Sequence, residues 1–343
     1  MTPKVVLVTG VGGYLGGNLA ARLAADPDIE RVLGVDTVPP PKDVVRTMGR
    51  AEFVRADIRN PLIAKVITSA NVDTVIHAST TANPAGPARR TVLKELNVIG
   101  TMQLLAACQR APSLRRLVVK STAAVYGASA RSPAVFTEDD TPKDIGSSGY
   151  AKDAVEVEGY VRGFARRRPE VSVVTLRLAN LIGPNVDTVL TRYFALPVVP
   201  TVLGFDARMQ LLHSEDALAV LEQAAMLDVT GVFNVAGDGV LMLSQAIRRA
   251  GRLPLPVLRQ ALPSVGRVLR GARVVDFSAD HVRYLNYGRV LDTTRLKAEF
   301  GFTPRWTTRQ AFDDYVSGSK LRPVFTPALL AAARRRVLQG TRS

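Results

Sequence analysis

Eight residues, Thr9-Gly10-Val11-Gly12-Gly13-Tyr14-Leu15-Gly16, constrain this chain more than any other stretch. They follow the apolar run Val5 to Val8 directly and open a segment with apolar residues at helical spacing, Leu15, Leu19 and Leu23. A turn that joins a strand to a helix in so few residues uses glycine for three reasons. Glycine supplies the backbone angles, lets N–H groups approach an anion, and lets the helix pack closely on the strand. Asp36 ends the next strand-like run 20 residues after Gly16, where a carboxylate meets the hydroxyls of an adenosine ribose. It would repel a 2′-phosphate, so the two features together predict a dinucleotide site that prefers NAD to NADP.

Strand-like runs at 4–9, 31–36, 52–56, 74–78, 116–120 and 171–177 alternate with helix-period segments over the first half of the chain. That alternation predicts right-handed crossovers and a parallel sheet covered on both faces. The expected fold is therefore α/β, with a Rossmann-type doubly wound parallel sheet over residues 1–180. From Leu181 the pattern becomes irregular and is punctuated by Pro184, Pro197, Pro200, Pro254, Pro256 and Pro263. Residues 181–330 are expected to form a smaller mixed C-terminal substrate lobe, and 331–343, with Arg334-Arg335-Arg336, a basic tail.

Several short segments in register resemble the extended short-chain dehydrogenase/reductases, the NAD-dependent epimerase/dehydratase group that includes nucleotide-sugar epimerases. Beyond the glycine turn they are Ala56-Asp57-Ile58-Arg59, Val75-Ile76-His77-Ala78-Ser79-Thr80 and Asn97-Val98-Ile99-Gly100-Thr101. Further along come Leu176 to Pro184, Gln210 to Asp216 and Phe233 to Gly237. The resemblance implies that Gly10, Gly13, Tyr14, Leu15, Gly16, Asp36, Asp57, Ile58, Ala78, Ser79, Thr80 and Asn97 hold NAD. It also implies a catalytic pair, since Lys120 to Gly127 is similar to the family's strand-end segment and Gly149-Tyr150-Ala151-Lys152 to the start of its catalytic helix. Thr122 is then the hydroxyl partner and Tyr150 the acid/base that also touches the cofactor, with Val125 and Asn180 beside the substrate. In the family a lysine four residues after the tyrosine lowers its pKa and holds the nicotinamide ribose; here that residue is Ala154. Lys152 is no simple replacement, because residues two apart on a helix diverge by roughly 200°.

The resemblance implies an NAD-dependent epimerase, dehydratase or dehydrogenase acting on a nucleotide-activated sugar. Ala154 motivates an alternative, an NAD-binding protein that serves regulation or partner recruitment. A hydroxysteroid- or lipid-type dehydrogenase is a third reading. His77 and His213 read as structural, His281 carries no signal, and the spacing of His and Cys suggests no metal site. Strand alternation turns Ser121 away from Thr122.

Charge narrows the partners. From Val240 onward there are 17 Arg and 2 Lys against 6 acids, so +13 of the net +15 lies in the last third. Residues 248–273 carry seven arginines and no acid. They suit the diphosphate of an anionic substrate or, with the interleaved Leu and Val, a peripheral membrane contact. No aromatic residue interleaves with them, which argues against nucleic acid. The lone Cys108 in an apolar run reads as a buried thiol in a reducing cytoplasm, and no apolar stretch is long enough to span a bilayer. By resemblance, the chain is expected to form a homodimer through helices near Val92–Ala107 and Ala154–Phe164.

Overall fold

Strands rich in valine and isoleucine, buried on both faces, give this chain its centre. The computed structural model describes residues 2–40, 42–79, 87–142, 145, 149–258, 279–319, 321 and 323–324. Seven strands form one parallel sheet: β1 (Val5–Thr9), β2 (Arg31–Asp36), β3 (Glu52–Arg55), β4 (Thr74–His77), β5 (Arg116–Thr122), β6 (Ser172–Leu178) and a last one at Gly231–Val235. In space the order is Gly231–Val235, β6, β5, β4, β1, β2, β3, so the chain reverses direction across the sheet beside β1 and β4. In open α/β sheets the crevice at such a reversal is the usual ligand site.

The period of two along each strand sorts side chains between two apolar layers. Val6 and Val8 of β1 and Val118 of β5 join the layer under α1 (Tyr14–Ala25) and the helix Ser214–Met226. Leu7 of β1 and Leu117 and Val119 of β5 join the opposite layer. That layer contains residues from the helices Ile63–Ser69, Gly100–Gln109 and Tyr150–Arg167. The sheet's last strand and one covering helix thus come from beyond residue 180.

The remaining strands are short. Asn180–Ile182 pairs with Leu211–His213, Val198–Val202 with Leu253–Val257, and Arg208–Met209 lies between Leu241–Met242 and Gly288–Arg289. A third apolar cluster, around Tyr193, Phe194, Phe312 and Tyr315, holds them together. Within the basic stretch, Arg249 pairs with Asp313 at 2.9 Å and Arg252 donates to the Phe194 carbonyl at 3.0 Å, so both brace the fold. Residues 259–273 and 331–343 lie outside the described residues. Cys108 is fully buried, and burial pushes its thiol up to about 12. Among the described residues, no helix is long and apolar enough to cross a membrane.

Candidate functional site

The glycine turn is held by contacts that only glycine permits. Gly10 has φ +79°, and a Cβ there would lie 2.6 Å from the Ser79 Cα. A Cβ at Gly16 would collide with the Gly10 carbonyl, so α1 packs against the turn only without one. Gly13 differs, because a Cβ there would meet nothing nearer than 3.5 Å. A side chain there would meet only ordinary contact, and Gly13 lines the cavity, as a cradle for a bound group requires. At the end of β2 the Asp36 carboxylate accepts the Gly12 N–H at 2.9 Å and the Val38 N–H at 3.2 Å, which fixes it beside the turn.

Gly10, Gly13, Tyr14, Leu15, Gly16, Asp36, Ile58, Ala78 and Ser79 all line one cavity of about 390 Å³. Sequence reasoning did not anticipate Leu96, Lys120, Leu181 and Asp187 in the same wall. A glycine cradle at a helix start, a fixed carboxylate at the ribose position and apolar walls around Ile58 and Leu181 fit NAD.

Two residues expected in this cavity stand behind it. Asp57 is paired with Arg59 at 2.6 Å, and that hydrogen bond holds its carboxyl below the ordinary carboxylate range. Asn97 is buried in a π turn, Glu95–Ile99, where its carbonyl accepts the Thr101 hydroxyl. Thr101 also bonds His77 Nε2 at 2.8 Å while Thr9 bonds His77 Nδ1 at 2.8 Å, so Asn97 anchors the β4 end from outside the cavity. Thr80 lies outside the described residues. Burial, with the nearby Lys120 charge, brings the His77 imidazole down to about 3, which suits a neutral structural histidine.

A second cavity brings together Thr122, Tyr150 and Asn180. Thr122 ends β5, and its Oγ1 accepts the Ala124 N–H at 3.2 Å, capping the 3₁₀ turn Ala123–Tyr126. Tyr150 is the first residue of its helix, after Gly149 at φ +132°. A Cβ at Gly149 would lie 2.5 Å from Asp280 Oδ2, so this helix start and the helix Ala279–Tyr287 approach each other only through glycine. Val125 is 1% exposed and belongs to the apolar core, because the tight turn aims it inward; it does not line this second cavity.

Asp280, His281, Arg283, Tyr284 and Arg289 complete that wall. No motif marked them, and His281, without a signal in the sequence, is among them. Asp280 Oδ2 is buried with no hydrogen-bond partner among the described residues, and the Tyr284 hydroxyl is buried beside Asn180. Arg289 donates twice to the Gly127 carbonyl, at 3.0 and 2.8 Å, and burial lowers its pKa to about 10. Unsatisfied buried polar atoms cost stability until a partner arrives, so this wall suits a polar ligand.

Behind Thr122 lies a buried polar network. Glu158 and Arg177 make a two-point ion pair, at 3.0 and 2.8 Å, with side chains 5% and 7% exposed. Ser121 donates to Glu158 at 2.6 Å, on the opposite strand face from Thr122. Arg177 also donates to the Tyr126 hydroxyl at 2.7 Å, and Tyr126 donates to Asn234 Oδ1 at 2.7 Å. Burial pushes the Tyr126 phenol up to about 12, so it remains a neutral donor. These bonds tie β5, β6, the last strand and the catalytic-helix candidate into one frame.

His213 is structural: its ring stacks on Trp306, Nδ1 accepts the Glu215 N–H at 3.2 Å and Nε2 meets Asp314 at 3.0 Å. Asp292 accepts the Thr294 N–H at 2.7 Å, a role at a helix start. At position 154 the methyl group is 7% exposed and packed in the core.

The family model for the NAD dependent epimerase/dehydratase family matches residues 6–236. An uncharacterized protein of Mycobacterium tuberculosis (strain ATCC 25618 / H37Rv) is 54% identical over 325 residues, covering 95% of this chain and 86% of its own length. MoeE5 in complex with UDP-glucuronic acid and NAD is similar in structure, with a TM-score of 0.71 and 21% identity, covering 92% of this chain and 99% of that one. UDP-glucose 4-epimerase of Thermotoga maritima with UDP-glucose has a TM-score of 0.71 at 18% identity, covering 92% and 98%. At such identities the two structures show the shared fold, and the family match goes further: the chain belongs to the NAD dependent epimerase/dehydratase family, with NAD as the cofactor that family requires.

Proposed function

We propose that this chain is an enzyme that holds NAD in the glycine-turn cavity and acts on a nucleotide-activated sugar in the neighbouring one. The observation that carries this reading is the convergence of Tyr150, Thr122 and Asn180 on a single cavity at the sheet edge beside the cofactor cavity. NAD held by Gly10, Gly13, Gly16 and Asp36 would supply a reversible hydride acceptor for the substrate carbon. The Tyr150 phenolate takes the proton from the substrate oxygen and gives it back when the hydride returns, while Thr122 holds that oxygen by a hydrogen bond. Asn180, Asp280 and Tyr284 offer partners to sugar hydroxyls, and Arg289 adds positive charge for an anionic substrate. Similar proteins bound to UDP-glucuronic acid and UDP-glucose support the substrate class.

The test is single-turnover spectroscopy of the purified protein loaded with NAD and challenged with UDP-, GDP- and dTDP-sugars. Nicotinamide absorbance that rises with one sugar, and is lost in Tyr150→Phe, is the expected result. A silent panel with NAD still bound would favour the second reading, cofactor binding without turnover, which the core-packed Ala154 supports. Exposed Val92, Ile99 and Tyr160 lie on the helices expected to pair two copies, and they support a homodimer that light scattering would detect.

A further inference from the structure

We propose that Lys120 is the positioning residue for Tyr150: from strand β5 it brings to the sheet edge the positive charge that position 154 does not carry. The inference rests on the reading of Tyr150 as acid/base. Ala154 is buried in the apolar core that also holds Val125 and Tyr126, so no cation acts from position 154. Lys152 leaves the helix on a different face from Tyr150. Among the described residues lining the cofactor cavity, Lys120 is the one cation.

Its placement follows from strand geometry. Residues 118, 120 and 122 share one face of β5, while Leu117 and Val119 pack in the opposite layer and Ser121 turns to Glu158. Lys120 therefore emerges on the Thr122 side, roughly 7 Å back along the strand. Thr122 lines the cavity of Tyr150, and Lys120 lines the cavity next to it. A flexible four-carbon stem beginning there is long enough to reach toward the end of β5, where Thr122 stands. Burial lowers the Lys120 pKa to about 8, so the group is charged at neutral pH yet exchanges its proton close to it. The titratable groups facing it or its cavity are Tyr14 on α1, Asp36 on β2, His77 on β4 and Asp187. Around Tyr150 itself stand Asp280, His281, Arg283 and Arg289, of which Arg289 is committed to the Gly127 carbonyl. His77 is neutral at pH 7, so Lys120 is the cation that comes toward Tyr150 from the cofactor side.

The experiment follows Tyr150 itself, by ¹³C-tyrosine NMR titration with Tyr150→Phe to assign the signal, together with NAD binding by calorimetry. No substrate is added, so the result stands whether or not the sugar panel finds one. Lys120 and Tyr150 titrate as a coupled pair, so in the wild type the Tyr150 signal is expected to begin ionising near pH 8, where the pair loses its first proton, at least one unit below the ordinary tyrosine value of about 10. Lys120→Met should move it up by a unit or more and weaken NAD binding about tenfold. The double variant Lys120→Met/Ala154→Lys, which puts the charge back one helical turn from Tyr150, should lower it again. Wild-type Tyr150 titrating near 10, or titrating alike in wild type and Lys120→Met, overturns the proposal. The first of these outcomes needs no Lys120 variant to fold. A low Tyr150 value with a silent sugar panel would retire the substrate class and leave Lys120 in its role.

Discussion

The two cavities are built in opposite ways. The cofactor cavity is mostly local: a glycine turn, the helix start after it and the end of the next strand supply six of the residues expected there, all within 10–36. Its shape comes from backbone contacts such as the Gly10 to Ser79 approach. The second cavity is assembled from positions 122, 150, 180, 280, 284 and 289, and its character comes from side chains. A cavity made of backbone constraints leaves a pattern in the sequence, whereas one made of distant side chains depends on packing that only the fold reveals.

The largest expected effect separates the two directly. Tyr150→Phe should lower the rate of hydride transfer about 100- to 10,000-fold while NAD affinity and melting temperature stay close to wild type. Calorimetry alongside stopped-flow absorbance checks both halves. Loss of NAD binding in this variant would mean that the cavities are not separable.

Next in size is the frame that both cavities share. Glu158→Gln keeps the shape but leaves the Arg177 charge buried without its carboxylate, and breaking such a pair costs about 3–5 kcal/mol. Denaturant unfolding should show that loss. If it is under about 1 kcal/mol, the frame is not rigid and the positioning of Thr122 needs another explanation.

Asp36→Asn acts on the cofactor side alone. Hydrogen bonds to a charged acceptor contribute about 1.5–3 kcal/mol, so NAD should bind roughly 10- to 100-fold more weakly, with the preference over NADP reduced. Unchanged discrimination between the two dinucleotides would break the assignment of Asp36 to the ribose.

This contrast accounts for what could be read in advance. The sheet, its parallel order and the NAD cavity follow from alternating apolar runs and from glycines whose spacing reflects contact distances. Thr122 and Tyr150 were found through short segments in register, and they do meet. The wall of Asp280, Tyr284 and Arg289 left no pattern, because a helix more than 100 residues further along the chain than Tyr150 carries no local mark of what it faces. Val125 shows the converse error: a residue inside a matching segment whose side chain a tight turn sends into the core. Lys120 did leave a mark, a lone lysine in an otherwise apolar buried run, Leu117-Val118-Val119.

That lysine also gives the smallest and sharpest test, because function and stability pull it in opposite directions. Its folded-state pKa of about 8 lies below the ordinary lysine value of 10.5, since burial disfavours the charged form. Below pH 8 both folded and unfolded chains hold the proton, and the fold carries the whole cost of the buried charge. Between pH 8 and 10.5 the folded chain has released the proton and the unfolded chain has not, so this site makes stability rise with pH. Above that window the cost is gone. Lys120→Met should therefore be more stable than the wild type at pH 7 and lose that advantage by about pH 10.5, while Lys120→Arg, which cannot discharge, should not regain stability there. Urea unfolding of the three proteins at pH 7, 9 and 10.5, without NAD, checks this. A Lys120→Met protein less stable than wild type at pH 7 would show that the ammonium supports the fold, and its cost could then not be attributed to positioning Tyr150.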